Sequence, residues 1–129
     1  MNLVDSSGWI EYFIDSSNAD IFAPFIEDVK TLIVPSISIY EVFKKLLIEA
    51  DENIALMAIT QMQLGKVIVL DEPLALNAAR IGYDLKLALA DSIILATAYQ
   101  YNAILHTQDE HFKNIPGVNF IPKKNSATK

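Results

Sequence analysis

The chain opens on a stretch that sets the pattern of the whole fold, Asn2-Leu3-Val4-Asp5-Ser6-Ser7-Gly8-Trp9-Ile10-Glu11-Tyr12-Phe13. Its first residues form a short apolar run, which predicts a buried strand over Asn2–Val4. An acid, Asp5, follows at once. The residues from Ser6 to Phe13 then have the apolar spacing of a short helix, with Ser6 or Ser7 as its cap. The stretch therefore predicts a strand, a carboxylate where that strand ends, and a helix.

The rest of the chain repeats this alternation of short apolar runs and longer amphipathic segments. The predicted strands are Asn2–Val4, Thr31–Val34, Lys66–Leu70, Ala103–His106 and Val118–Ile121. The predicted helices are Ser6–Phe13, Ala19–Lys30, Ser38–Ala50, Glu52–Leu64, one from Asp71 to about Leu87, and Ala90–Tyr101. Strands that alternate with helices are typical of an α/β domain with a mainly parallel sheet, which we expect to carry helices on both faces.

Length and composition exclude several classes of protein. With 129 residues, of which 52% are hydrophobic, the chain is long enough for one domain with its own core. We expect that domain to span residues 1–122 and to be followed by a flexible polar tail over 123–129. Cysteine is absent, which excludes disulfide frameworks, thiolate zinc sites and cysteine nucleophiles. The chain has only two histidines, which argues against a multi-histidine metal site.

Charge and hydropathy limit the possible partners. The net charge of −6 argues against binding of nucleic acid through bulk charge, so such a role requires a local basic surface or a bound cation.

The first residues lack the basic and apolar regions of a secretory signal. The uncharged runs within the most apolar stretch, Leu74–Tyr99, are shorter than the roughly 20 residues that a membrane helix needs. We therefore expect a soluble, cytoplasmic protein.

Four acidic residues lie where the predicted sheet would bring them together. Asp5 follows the first strand and Asp109 the fourth, Glu41 lies in the helix after the second strand, and Asp91 opens the helix before the fourth. Doubly wound sheets bind ligands at the carboxyl ends of their strands, where the strand order reverses. As an alternative, Asp5, Asp91 and Asp109 have the position of helix caps. Glu41 is harder to explain in that way, because it lies among apolar neighbours.

Clustered carboxylates point to a bound cation. They repel one another and stay ionised together only when cations lie among them. Hard divalent cations such as Mg²⁺ prefer oxygen ligands, and a site of this kind suits the hydrolysis of phosphodiester bonds. Asp71, which precedes Glu72 and Pro73, is interpreted as a helix cap outside the site. His106 and His111 have no third imidazole to join them and are interpreted as ordinary polar residues.

Four short motifs resemble those of PIN domains, and more narrowly those of the toxin ribonucleases of VapBC toxin–antitoxin pairs. They are Val4-Asp5-Ser6-Ser7-Gly8-Trp9-Ile10, Ser36-Ile37-Ser38-Ile39-Tyr40-Glu41-Val42, Leu89-Ala90-Asp91-Ser92-Ile93-Ile94 and Leu105-His106-Thr107-Gln108-Asp109-Glu110-His111-Phe112. Each motif is weak alone, but their acids follow in the family's order at separations of 36, 50 and 18 residues. The resemblance extends over residues 3–121, nearly the whole chain.

The resemblance implies both a topology and a set of site residues. The sheet of a PIN domain has five parallel strands in the order 3-2-1-4-5. The resemblance further implies that Asp5, Glu41, Asp91 and Asp109 hold Mg²⁺ or Mn²⁺, and that the hydroxyl of Thr107 supports them through hydrogen bonds. These five residues are the predicted catalytic set.

The resemblance also implies a function and partners. The protein would be a metal-dependent endoribonuclease, the toxin of a two-component pair, which forms homodimers and binds a cognate antitoxin. Lys44, Lys45 and Lys86 are candidate contacts for RNA phosphates, with solvated helix faces as the alternative. The family commonly has a basic residue where this chain has Gln108, so a phosphate contact is less expected there.

Two other functions stay open at this point. The first is a PIN-like binding module that has lost activity and recruits a protein or RNA partner. The second is a different metal-dependent nuclease or phosphatase on a similar sheet. The presence of all four acids argues against the binding module.

Overall fold

The chain forms a five-stranded sheet. The computed structural model describes residues 1–124. The strands are β1 (Asn2–Val4), β2 (Leu32–Pro35), β3 (Lys66–Ile68), β4 (Ile104–Thr107) and β5 (Val118–Phe120). All neighbouring strands pair in parallel, in the order β3-β2-β1-β4-β5. The α/β class and the strand order therefore confirm the prediction.

Helices cover both faces of this sheet. They are α1 (Ser6–Phe13), α2 (Ala19–Glu27), α3 (Ser36–Glu49), α4 (Glu52–Met62), α5 (Glu72–Leu85) and α6 (Leu89–Gln100), with 3-10 turns at Val29–Thr31 and Glu110–Phe112. Successive strand residues point to opposite faces. Leu3 packs into a core with α5 and α6, whereas its neighbour Val4 packs into a second core with α1 to α4. The expected two-sided cover is confirmed.

The pairing of β1 with β4 creates the edge at which the site lies. Leu3 is opposite Leu105 and Val4 is opposite His106. One residue further on, the Asp5 N–H donates a hydrogen bond of 3.0 Å to the carbonyl of His106. Because β1 has β2 on its other side, the strand order reverses here, and side chains that follow β1 and β4 share one crevice.

The second helix is shorter than its apolar spacing predicts. The sequence predicts a helix to Lys30, but α2 ends at Glu27. Asp28 leaves the helical region with φ −84° and ψ 73°, and Thr31 Oγ1 donates a hydrogen bond of 3.0 Å to its carboxylate. The Thr31 N–H also donates a hydrogen bond of 3.2 Å to the carbonyl of Asp28 and closes a 3-10 turn, so β2 begins at Leu32 instead of the predicted Thr31.

Other boundaries also differ from the prediction. The prediction of Ser6 or Ser7 as the cap of α1 is wrong, because Asp5 holds the cap position and Ser6 is already helical. Helix α3 begins at Ser36 instead of Ser38, immediately after an extended Pro35. Strand β3 ends at Ile68 instead of Leu70, because Ile68 is opposite Pro35, the last residue of its single neighbour β2.

Within residues 1–124, no helix combines the length and the apolar character that crossing a membrane would require. The last five residues of the predicted polar tail, 125–129, lie outside the described part of the chain.

Candidate metal centre

Asp5 is buried at the carboxyl end of β1 and directs its side chain into the crevice. Its backbone carbonyl begins helix α1 by accepting hydrogen bonds from the N–H groups of Gly8 and Trp9, at 2.9 and 3.2 Å. Its carboxylate makes no capping hydrogen bond. Instead, Oδ2 accepts hydrogen bonds from the hydroxyls of Ser7, at 3.0 Å, and Thr107, at 2.8 Å. The interpretation of Asp5 as a side-chain cap is therefore wrong.

Thr107 joins the first and the last acid of the predicted site. It is fully buried at the end of β4. Its hydroxyl donates to Asp5 and accepts a hydrogen bond of 2.9 Å from the N–H of Asp109. One hydroxyl thus fixes the carboxylate that follows β1 and the backbone that follows β4. The hydrogen-bonding position of Thr107 agrees with what the resemblance implies.

The other acids reach the crevice from two helices and a turn. Glu41 lies in α3 and accepts a hydrogen bond of 2.6 Å from the hydroxyl of Ser6. Asp91 lies in the first turn of α6, whose cap position is held by Ala88, so Asp91 is not the cap. Asp109 does cap the 3-10 turn that follows it, by accepting from the N–H of His111 at 2.9 Å. Capping leaves its other oxygen free for a second role.

These four acids line one groove of about 370 Å³. The full lining consists of Asp5, Ser6, Ser7, Tyr40, Glu41, Lys44, Lys45, Ile48, Asp91 and Asp109. The structure therefore brings together the four acids that the sequence singles out, although they are spread over more than one hundred residues of chain. It leaves Asp71 outside this groove as the cap of α5, where its carboxylate accepts from the N–H of Leu74 at 3.0 Å.

The negative charge of the groove is largely uncompensated. Burial raises the pKa of the Asp5 carboxyl from 3.8 to about 6, although Thr107 and Ser7 donate hydrogen bonds to it. Burial also raises the pKa of Asp91, and the nearby charge of Asp109 adds to that effect. Among the described residues, no lysine or arginine pairs with any of the four acids, and His111 is the only basic side chain within ion-pair distance.

This donor set fits a hard divalent cation. Four carboxylates supply only oxygen ligands, the type that Mg²⁺ and Mn²⁺ prefer. A cation among them would remove the repulsion that raises the pKa of Asp91. The hydroxyls of Ser6, Ser7 and Thr107 orient two of the carboxylates, as outer-shell partners do in metal sites.

Sequence reasoning missed part of this arrangement. His111 is interpreted above as an ordinary polar residue, but its Nδ1 lies 3.2 Å from Asp109 Oδ1 and 3.5 Å from Asp91 Oδ2. The sequence predicts Ser6 or Ser7 only as a cap, whereas their hydroxyls donate hydrogen bonds to Glu41 and Asp5. The signal in the sequence is position, because the two serines come immediately after the acid that ends β1.

The predicted RNA contacts flank the acids. Lys44 and Lys45 line the groove, where Lys44 Nζ is 3.5 Å from the Tyr40 hydroxyl and Lys45 pairs with Glu49 at 2.7 Å. Lys86 ends α5 in a left-handed conformation, with φ 58°, and lines a smaller pocket with Asp91 and His111.

Gln108 does not face the groove. It is buried, and its Oε1 accepts a hydrogen bond of 2.9 Å from Asn18 Nδ2. This contact ties the turn after β4 to the start of α2. The side chain at this position is therefore structural.

Several solved structures share this fold. A toxin–antitoxin complex from Klebsiella pneumoniae contains a chain that is 25% identical, with a TM-score of 0.78, and the match covers 97% of this chain and 100% of that one. VapC20 from Mycobacterium tuberculosis, described as a sarcin–ricin loop cleaving toxin, is 11% identical with a TM-score of 0.73, covering 97% and 100%. DNA-bound VapBC from Salmonella typhimurium is 17% identical with a TM-score of 0.72, covering 95% and 98%.

Sequence comparison identifies the family directly. No curated protein sequence matches the chain significantly. A family model described as PIN domain matches residues 3–118. That match contains all four acids, strands β2 to β4 in full and part of β1 and β5, and it covers most of the chain. The chain therefore belongs to the PIN domain family.

Proposed function

We propose that the protein is a metal-dependent endoribonuclease that hydrolyses phosphodiester bonds of RNA. The observation that carries the proposal is the groove in which Asp5, Glu41, Asp91 and Asp109 meet with no lysine or arginine paired to them in the described part of the chain. Membership of the PIN domain family supports it. So does the likeness to VapC20, which is described as a sarcin–ricin loop cleaving toxin.

Each side chain of the groove has a role in this reaction. Asp5, Glu41, Asp91 and Asp109 would hold Mg²⁺ or Mn²⁺, and when bound such a cation supplies activation of water and neutralisation of charge on the scissile phosphate. Asp5 and Asp109 orient the attacking water. Glu41 and Asp91 complete the negative site.

Neighbouring groups position the acids and the substrate. Thr107 keeps Asp5 in place through a hydrogen bond of 2.8 Å. Lys44 and Lys45, which line the groove with Asp91, and Lys86, which lines a second pocket with Asp91, contact phosphates of the RNA strand.

We further propose that this ribonuclease is the toxin of a VapBC-type pair and acts in the cytoplasm. The toxin–antitoxin complex from Klebsiella pneumoniae and the VapBC complex from Salmonella typhimurium support this step. An antitoxin segment would lie across the acidic groove, where Tyr40 and Ile48 expose 59% and 72% of their surface. An arginine or lysine of the antitoxin would pair with the carboxylates and exclude the cation.

The ribonuclease proposal is tested by replacing each acid with its amide. Asp5→Asn, Glu41→Gln, Asp91→Asn and Asp109→Asn should each lower the rate of RNA cleavage in Mn²⁺ by orders of magnitude while the far-ultraviolet circular dichroism is unchanged. Asp71→Asn is the matched control, because it removes one acid outside the groove and asparagine caps a helix equally well. Wild-type activity in Asp5→Asn would refute the assigned site, and failure of the wild-type protein itself to cleave RNA in Mn²⁺ would favour a binding module.

The toxin proposal has its own test. Light scattering on the purified protein should show a homodimer, and addition of the antitoxin should stop cleavage. A monomer at high micromolar concentration would refute the proposed dimer. An antitoxin complex that retains full metal-dependent activity would refute the proposal that the antitoxin blocks the groove.

A further inference from the structure

His111 lies against the two acids that the helix α6 and the turn after β4 bring into the groove. Its Nδ1 is 3.2 Å from Asp109 Oδ1 and 3.5 Å from Asp91 Oδ2. One ligand atom from each of these three residues lies within 4.8 Å of the other two. The imidazole is thus next to the acids although its residue is exposed.

These separations agree with those of ligands around a single ion. Two ligand atoms at about 2.1 Å from an octahedral ion are about 3 Å apart when adjacent and about 4.2 Å apart when opposite. The distances from Nδ1 to the two carboxylate oxygens fall within this range. An ion could therefore contact all three side chains with only small movements.

The turn that carries His111 is firmly held. The His111 N–H donates a hydrogen bond of 2.9 Å to Asp109 Oδ1, which caps the 3-10 turn Glu110–Phe112. The next side chain, Phe112, is fully buried in the core on the α5 and α6 side of the sheet. The ring of His111 is 74% exposed, but its backbone is held on both sides, so the point from which the ring reaches Asp91 is fixed.

We propose that His111 is a nitrogen ligand of the divalent cation, together with Asp91 and Asp109. This inference rests on the metal centre of the proposed function and adds a ligand that the four-acid set does not contain. It also predicts a preference among metals. Mn²⁺ also prefers oxygen ligands, but as a transition metal it accepts a single imidazole nitrogen more readily than Mg²⁺ does, so the nitrogen ligand should raise the affinity for Mn²⁺ more than that for Mg²⁺.

The competing explanation is that His111 only forms a hydrogen bond or ion pair with the two carboxylates. In that case a cation would displace the ring instead of binding it. The two explanations differ in whether an imidazole nitrogen contacts the bound metal, which electron spin echo envelope modulation of Mn²⁺ detects directly. The chain offers a favourable background, because it has only two histidines and the other, His106, is buried with both ring nitrogens bonded to Asn2 and Asn119.

The test uses Mn²⁺ with the wild-type protein, His111→Gln and the control Glu110→Gln. The control changes an exposed residue of the same turn that does not line the groove. We expect nitrogen modulation in the wild type and in Glu110→Gln, and none in His111→Gln. We also expect His111→Gln to weaken Mn²⁺ binding in calorimetry about tenfold or more and Mg²⁺ binding less, since loss of even an outer-shell partner costs about 10-fold or more.

Nitrogen modulation that is absent from Mn²⁺-loaded wild type, or that persists in His111→Gln, would overturn the assignment of His111. Neither result would count against the ribonuclease proposal, because the assay of RNA cleavage tests that proposal independently. Failure of all three proteins to bind Mn²⁺ would overturn the inference together with the metal centre. Nitrogen modulation without any RNA cleavage would support His111 as a ligand and count against the ribonuclease.

Discussion

Asp5 links the stability of the fold to the protonation of the site. It is 4% exposed, and burial raises its pKa from 3.8 to about 6. The unfolded chain therefore releases this proton at a lower pH than the folded, metal-free protein does. Stability that the protonated carboxyl provides is complete below pH 3.8 and is lost as the pH rises through about 6. A pKa difference of this size corresponds to a loss on the order of 3 kcal/mol.

We expect Asp5→Asn to remove this pH dependence from the metal-free protein. The free energy of unfolding of Asp5→Asn, relative to that of the wild type, should rise between pH 3.8 and about 6 and then level off. Urea unfolding in EDTA over a series of pH values measures the difference. Burial lowers the pKa of His106 from 6.5 to about 4, so His106 has the opposite effect, and comparison of the two proteins at each pH cancels it. A difference that does not vary with pH would contradict this account of Asp5.

Thr107 is the second residue whose role can be isolated. Thr107→Val keeps the shape but removes the donor to Asp5 and the acceptor for the N–H of Asp109. We expect it to weaken Mn²⁺ binding by about 10–100-fold, because outer-shell partners of metal ligands have effects of this size. Thr107→Ser retains the hydroxyl and should retain most of the affinity. Equal losses in the two variants, measured by calorimetry, would show that packing and not the hydroxyl is what matters.

The sequence shows which single residues are chemically unusual, but not which of two roles each one takes. Asp5 and Asp109 both follow strands, yet only Asp109 caps the next element with its side chain. The difference arises because Thr107, about one hundred residues away in the chain, binds the Asp5 carboxylate. The place of His111 beside Asp91 likewise depends on the geometry of a 3-10 turn, and the spacing of apolar residues does not predict that geometry.

At the scale of elements, the packing of α5 against α6 depends on a glycine. A Cβ at Gly82 would overlap Ser92 Oγ and lie 3.1 Å from Ser92 Cβ. Ser92 cannot easily move, since its hydroxyl donates to the carbonyls of Ala88, at 2.7 Å, and Leu87, at 3.3 Å. The absence of a side chain at Gly82 is therefore what lets the start of α6, with Asp91 next to Ser92, approach α5.

We expect Gly82→Ala to destabilise the protein by about 1–3 kcal/mol, the usual cost of overpacking. Ser92→Ala removes the overlapping oxygen, so the double variant should be more stable than the sum of the single effects predicts. Urea unfolding of the wild type, both single variants and the double variant gives the coupling energy. Strict additivity would mean that Gly82 and Ser92 do not compete for the same space.

Element types were predictable, whereas several boundaries were not. Apolar runs and helical spacing gave each strand and helix, because burial on both faces of a parallel sheet imposes those patterns. The end of α2 depends instead on Asp28, which leaves the helical region and whose carbonyl and carboxylate both accept hydrogen bonds from Thr31. The start of α3 depends on the extended conformation of Pro35, which brings the first helical residue two positions forward.

For the whole molecule, the important feature is where the charge lies. Of the formal charge of −6, four units belong to the acids of the groove, so the remaining surface is only mildly acidic. A phosphate chain would be repelled by the groove without a cation and attracted with one. We expect EDTA to weaken RNA binding, measured by stopped-flow anisotropy before cleavage occurs. Unchanged binding in EDTA would indicate a metal-free basic surface.

Lys44→Gln, measured in the same binding experiment, tests whether Lys44 contacts an RNA phosphate. Removing one phosphate contact should reduce the slope of log affinity against log salt by about 0.7 for single-stranded RNA, whether or not metal is present. A slope equal to that of the wild type would show that Lys44 does not touch the RNA backbone.

The central claim is that the acidic groove cleaves RNA only when it holds a divalent cation, and the rate of cleavage upon return of Mn²⁺ to metal-free protein tests it most directly. The wild type should not cleave RNA in EDTA and should recover activity as Mn²⁺ is restored, whereas Asp109→Asn should not recover. Cleavage by the wild type in EDTA, or equal recovery in Asp109→Asn, would contradict it.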